Sequence, residues 1–124
     1  IVDNSPKKNN ENYKKGIRFE NKCKEILKQN GWKVKETPNT GDQGVDLIAS
    51  IDNLRICIQC KNHKKVIGNK AVQEISAGRL YWGGTHAVLV SISGFTKSAQ
   101  KLARANKVIL ISDLELKDLE KLFI

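Results

Sequence analysis

A chain of 124 residues with 40% hydrophobic and 28% charged side chains is long enough to bury one core of its own and too apolar to be disordered. Lys and Arg outnumber Asp and Glu by 22 to 13, a formal net charge of +9, which points to a polyanionic partner. The basic residues are spread over helices, strands and loops, which argues against an anionic membrane surface. No apolar run reaches the ~20 residues of a membrane span and no signal peptide is visible, so a cytoplasmic location is expected.

Residues 1–12 are polar, rich in Lys and Asn and without apolar period, and read as a disordered or linker tail ahead of a domain over 13–124. The first helix is expected over about 13–30, where Phe19, Cys23, Ile26 and Leu27 make one apolar stripe, Glu20 lies at its edge and Gly31 supplies the stop. Residues 32–37 then alternate as a short strand, with Trp32 and Val34 on one face and Lys33 and Lys35 on the other. Turn chemistry makes 38–44 a loop. Strands over 45–51 and 54–61 flank Asp52-Asn53 and predict a hairpin.

A basic loop over 62–69 leads into a helix over 70–81, with Ala71, Val72, Ile75 and Leu80 as candidate core positions. Gly83-Gly84 breaks it, and 86–91 is apolar enough for a central buried strand. Thr96 is placed to cap a helix running to about 105, 108–111 is a further buried strand, and Ser112 or Asp113 caps a last helix presenting Leu114, Leu119, Leu122 and Phe123 inward. The order α-β-β-β-α-β-α-β-α predicts an α/β domain in three layers, α-β-α, around a mixed sheet.

Three cysteines are no disulfide framework. Cys57-Ile-Gln-Cys60 with His63 close by has the outline of a zinc site, but residues three apart on a strand point to opposite faces, and buried thiols are the better reading.

Strand parity carries the chemical argument. In 54–61, Leu54, Ile56, Ile58 and Cys60 share the apolar face, so Gln59 and Lys61 project together on the other. In a hairpin centred on Asp52-Asn53, Ile51 opposes Leu54 and, down the ladder, Asp46 opposes Gln59; a bulge would shift this register. A carboxylate, an amide and an ammonium thus converge on one patch. That set suits phosphodiester hydrolysis: Mg²⁺ prefers hard oxygen ligands and needs one or two carboxylates besides the substrate phosphate. Asp46, the Gln59 side-chain oxygen and the Cys60 backbone carbonyl are the candidate metal ligands, Mn²⁺ being an alternative to Mg²⁺. Lys61 is the candidate to hold the attacking water and stabilise the transition state.

The same residues carry a family likeness. Gly16-Ile17-Arg18-Phe19-Glu20, Gly31-Trp32-Lys33-Val34, 41–48, Ile58-Gln59-Cys60-Lys61, 71–74 and 93–99 resemble, in order, the Mrr-type restriction endonuclease domain of the PD-(D/E)XK nuclease superfamily. The resemblance covers the chain from about Tyr13 onward. It implies Asp46 as the metal-binding aspartate, Gln59 and Lys61 as the rest of the catalytic set, Glu20 as the acid on the first helix that helps complete the site, and Gln73 as an accessory position. An acid is usual where this chain has Gln59, a departure that fits the Mrr-like QxK variant and removes one negative charge.

These readings lead to a metal-dependent DNA endonuclease in a restriction or defence setting. Lys33, Lys35, Lys64, Lys65, Lys70 and Lys97 are the candidate nucleic-acid contacts, with Lys97 at a helix N-terminus that already favours phosphate. Duplex cleavage needs two hydrolytic centres, hence an expected homodimer. A first residue other than Met, and no Met elsewhere, lead us to expect a further domain of a longer chain. The alternative is a catalytically weak or inactive nucleic-acid-binding module on the same fold; a junction-resolving or RNA-directed nuclease is a third reading.

Overall fold

The computed structural model describes residues 11–38 and 44–123. Helix α1 (Glu11–Gln29) is followed by β1 (Lys33–Glu36), β2 (Leu47–Ile51) and β3 (Leu54–Lys61), then α2 (Asn69–Trp82), β4 (His86–Ser91), α3 (Lys97–Asn106), β5 (Val108–Ser112) and a 3₁₀ segment (Asp113–Phe123). The five strands form one sheet in the order β1-β2-β3-β4-β5. The meander β1-β2-β3 is antiparallel, and β3-β4-β5 are parallel through the crossover helices α2 and α3. This is the expected mixed-sheet α/β architecture. Residues 1–10 of the expected tail lie outside the described residues, and the helix begins at Glu11, ahead of the expected 13.

Both faces of the sheet are covered. Phe19, Cys23 and Leu27 of α1 pack with Leu47, Ala49, Ile56, Ile58, Val88 and Val90, together with Leu116 and Leu119 of the 3₁₀ segment. On the other face Ile48, Cys57, Ala87 and Leu89 meet Ala71, Val72 and Ile75 of α2 and Ala99 and Ala103 of α3. Parallel central strands buried on both sides have no polar face to show, which is why β4 reads as an unbroken apolar run.

The elements end where local chemistry stops them. Gly31 takes φ 94° after α1, Gly83 caps α2 in the left-handed region, and the Thr96 hydroxyl accepts from the Ala99 amide at the start of α3. Ser112, not Asp113, sits at the start of the last segment: its amide donates to the Glu115 carboxylate at 2.9 Å, half of a capping box.

Three core expectations need correction. Leu80 is 72% exposed, because the inward stripe of α2 runs through Ala71, Ile75, Gly78 and Trp82 and Leu80 falls on the opposite side of the helix. Leu114 and Leu122 are also exposed. The last element is 3₁₀ on either side of Asp118 rather than one continuous α-helix, and the residues it buries are Leu116 and Leu119, one on each side of that break. A kink at Asp118 then brings Phe123, not Leu122, inward, against the His86 ring at 4.7 Å.

Candidate active site

The hairpin has the expected register, Ile51 facing Leu54 and Leu47 facing Ile58. One step further it departs from it. The Asp46 amide donates to the Ile58 carbonyl at 2.8 Å, although Ile58 is already the partner of Leu47. Two residues face one, a β-bulge that re-aims the Asp46 side chain. Its Oδ2 accepts from the Cys60 amide at 2.8 Å and from Gln59 Nε2 at 3.2 Å. The backbone pair Asp46–Gln59 is absent, and the side-chain pair is made.

Gln59 is thereby fixed by its nitrogen, while its Oε1 is buried and has no hydrogen-bond partner. A buried orphan oxygen is costly unless something outside the chain satisfies it. Lys61 follows on the same strand face and is near enough to lower the Asp46 pKa. Burial outweighs that help and the Cys60 hydrogen bond, so the Asp46 carboxyl is pushed above its ordinary value.

Glu20 approaches from α1. Burial first, then the charges of Asp46 and Glu36, raise its pKa to about 7, against a smaller opposing effect of Lys24. Lys24 itself is paired with Glu36 at 3.6 Å. The carboxylates sense one another without converging: among the described residues no group of three or more His, Cys, Asp and Glu is placed to hold a metal. Asp46, Gln59, Lys61 and Glu20 are therefore gathered at the end of β3, while Glu36 and Lys24 were not anticipated. Glu36 is carried there as the last residue of β1, an edge strand on which alternation alone does not mark an exposed residue as functional.

In the metal-free protein the raised pKa makes stability depend on pH. The folded pKa of Glu20 lies above its ordinary 4.5, so the folded state binds that proton more tightly and stability falls as pH rises from about 4.5 to about 7. Glu20→Gln should flatten this part of the stability–pH curve, measured by urea unfolding in chelator. An unchanged slope would exclude the raised pKa.

The remaining candidates divide by place. Lys64, Lys65, Lys70 and Lys97 are exposed near the C-terminal ends of β3 and β4. Their loops are tied together there by Ser93 Oγ donating to the Lys65 carbonyl and by Asn69 Nδ2 donating to Ser98 Oγ. Lys35 is exposed on β1, but Lys33 pairs with Ser50 beside the hairpin turn, at the far end of the sheet from Asp46. Gln73 is exposed on α2. Residues 39–43 of the loop before Asp46 lie outside the described residues. Cys57 belongs to the α2 layer, whereas the Cys60 thiol makes a hydrogen bond with Cys23 of α1, so the zinc outline has its two thiols in different layers.

Comparison with known proteins agrees with the architecture. A solved protein of unknown function, AF1548, superposes with a TM-score of 0.64 at 21% identity, over 78% of this chain and 57% of that one. The MspJI restriction endonuclease, solved in complex with a 27-mer oligonucleotide, superposes with a TM-score of 0.57 at 20% identity, over 94% of this chain and 31% of its own. This chain thus spans little more than half of the first and less than a third of the second. No curated protein matches it. The sequence model of the Mrr catalytic domain, described as a restriction endonuclease, matches residues 14–119. A match over that span, on a fold shared with a restriction enzyme, makes this chain a member of the Mrr-type restriction endonuclease family.

Proposed function

We propose that the chain is a divalent-metal-dependent DNA endonuclease domain that hydrolyses phosphodiester bonds in a restriction or defence setting. The observation that carries this reading is the Gln59 side chain, held by Asp46 through its nitrogen and left with a buried, unpartnered oxygen beside the carboxylate. An amide oxygen, a carboxylate and a backbone carbonyl are hard donors that suit Mg²⁺ or Mn²⁺, so the residues fit such an ion. Asp46 and Gln59 would hold it, with the Cys60 carbonyl as a third ligand and Glu20 completing the site. Bound there, the cation supplies a water of lowered pKa and neutralises charge on the scissile phosphate.

The chain does the rest. The Cys60 amide and Gln59 amide fix the Asp46 carboxylate in one orientation, so it need not reorganise when substrate arrives. Lys61, on the same strand face as Gln59, donates to the attacking water and to the phosphate oxygens as their charge grows. Glu20, whose pKa burial and the Asp46 charge raise to about 7 in the metal-free protein, would give up that proton as the cation binds beside it. Exposed Lys35, Lys64, Lys65, Lys70 and Lys97 would bind backbone phosphates with little sequence preference. MspJI, of the same fold, is a restriction endonuclease solved with an oligonucleotide, which supports DNA as the substrate. Cutting both strands calls for two such centres, hence a homodimer.

The test is supercoiled plasmid with Mg²⁺ or Mn²⁺. Nicking is expected, with Lys61→Ala slower by about 100–1000-fold, the range for removing one preorganised transition-state donor. A second reading, a nucleic-acid-binding module without chemistry, draws on the neutral Gln59. Calorimetric titration with Mn²⁺ separates the two: DNA binding without metal binding favours the module and ends the nuclease reading.

A further inference from the structure

The mechanism leaves one charged cavity unused. On the face of the sheet covered by α1, a cleft of about 270 Å³ is lined by Lys15, Arg18, Phe19, Lys22, Asn62, Ile92 and Asp113. Four of these, Lys15, Arg18, Phe19 and Lys22, recur at helical spacing on one side of α1. The other walls are the residues that follow β3 and β4, Asn62 and Ile92, and the first residue after β5, Asp113. Three cations face one carboxylate. Asp113 holds Lys22 at 3.9 Å, and Arg18 is lightly tied to Glu11 at 3.8 Å.

The position of the cleft gives it meaning. Phe19 is the chain neighbour of Glu20, and Asn62 of Lys61, so two walls of the cleft are each one residue from the proposed catalytic centre. On α1 the two features flank the buried Phe19–Cys23–Leu27 stripe, Glu20 on one side and the basic residues on the other. Phe19 is buried, and Ile92 is 43% exposed although large and apolar. A cationic rim, an amide and an apolar wall together match a nucleotide unit: phosphate to the cations, sugar against Ile92 and the edge of Phe19.

We propose that this cleft is a nucleotide subsite, which binds a backbone phosphate and its deoxyribose from the strand being cut, next to the scissile bond. The inference rests on the nuclease reading above for its substrate, and it adds a second phosphate path, along α1 rather than along the loops after β3 and β4. Asp113 restrains Lys22 and lowers the net charge of the cleft, setting how tightly the strand is held.

The experiment uses a fluorescent duplex oligonucleotide, anisotropy in Ca²⁺ over a range of KCl, and plasmid nicking in Mg²⁺ in parallel. A triple variant Lys15→Gln, Arg18→Gln, Lys22→Gln is compared with an equal charge removal at exposed Lys28, Lys101 and Lys117. The cleft variant should lower the salt slope of log K by about one unit, the share of the one phosphate that the protein no longer neutralises. The control should change it less, and Asp113→Asn should tighten binding. Equal slopes for the two triple variants, with wild-type binding intact, would overturn the subsite. Wild-type DNA binding without nicking would sink the nuclease reading alone, since the slopes still decide the cleft; no DNA binding at all would end both.

Discussion

Asp46→Asn should abolish cleavage and leave the metal-free protein at least as stable as the wild type. A single oxygen of Asp46 accepts both the Cys60 amide and the Gln59 amide, and the Asn oxygen can take its place without moving the strand. What disappears is the charge. Burial pushes the Asp46 carboxyl above its ordinary 3.8 despite that hydrogen bond and Lys61, so ionising it costs more in the folded protein than in the unfolded chain. The wild type therefore loses stability as pH rises from 3.8 through the raised folded value, and the Asn variant keeps only the loss that buried Glu20 contributes. At neutral pH in chelator its melting temperature should equal or exceed the wild-type value.

Adding Mg²⁺ reverses the order. A ligand that binds only the folded state raises the melting temperature with concentration, and only the protein that keeps Asp46 should show it. Cleavage should fall by more than the roughly 10–100-fold that loss of an outer partner of a metal site costs. An Asn variant that still nicks plasmid, or still gains stability with Mg²⁺, would remove Asp46 from the metal site. This opposition of stability and activity is what a functional carboxylate is expected to show.

How much of this was open to sequence reasoning depends on range. Parity within β3 needs only the two-residue period of a strand, so the shared face of Gln59 and Lys61 was legible, and the Asp52-Asn53 turn fixed the register as far as Leu47 and Ile58. The bulge at Asp46 was not legible, because it depends on how Thr37 and Ile58 hold the Asp46 backbone on either side, with the Thr37 amide donating to the Asp46 carbonyl at 3.1 Å. The wrong inward leucines of the last segment, Leu114 and Leu122, have a similar origin. Apolar period selects a face only when the number of residues per turn is known, and the final segment turned out to be 3₁₀. Lys15, Arg18 and Lys22 follow helical spacing on α1 but were not singled out, because nothing local says that Ile92 and Asp113, far along the chain, close a cleft over them.

Gly44→Ala should cost more stability than any surface change in the molecule, and should reach Asp46 through the backbone. Gly44 has φ 62°, and a Cβ there would stand 2.4 Å from the Glu74 carbonyl oxygen and 2.6 Å from its carbon. These are backbone atoms of α2 and cannot rotate away. The left-handed conformation costs a residue with a side chain about 1–2 kcal/mol, and forcing atoms into a packed contact adds about 1–3 kcal/mol. Together that is about 2–5 kcal/mol from a total of order 5–15 kcal/mol, a fall in melting temperature of roughly 10 °C or more. Relief requires the strand to move off α2. Val45, which packs in the α2-side core, and Asp46 beside it would move with it, so metal binding should weaken even in the fraction that stays folded. Gly44→Asn separates the two causes: Asn tolerates a positive φ but carries the same Cβ, so it should be nearly as damaging if the contact dominates and much milder if the backbone conformation does. A Gly44→Ala protein that melts within a degree or so of the wild type and binds Mn²⁺ normally would show that α2 does not press on this residue, and that the aim of Asp46 is set by the bulge alone.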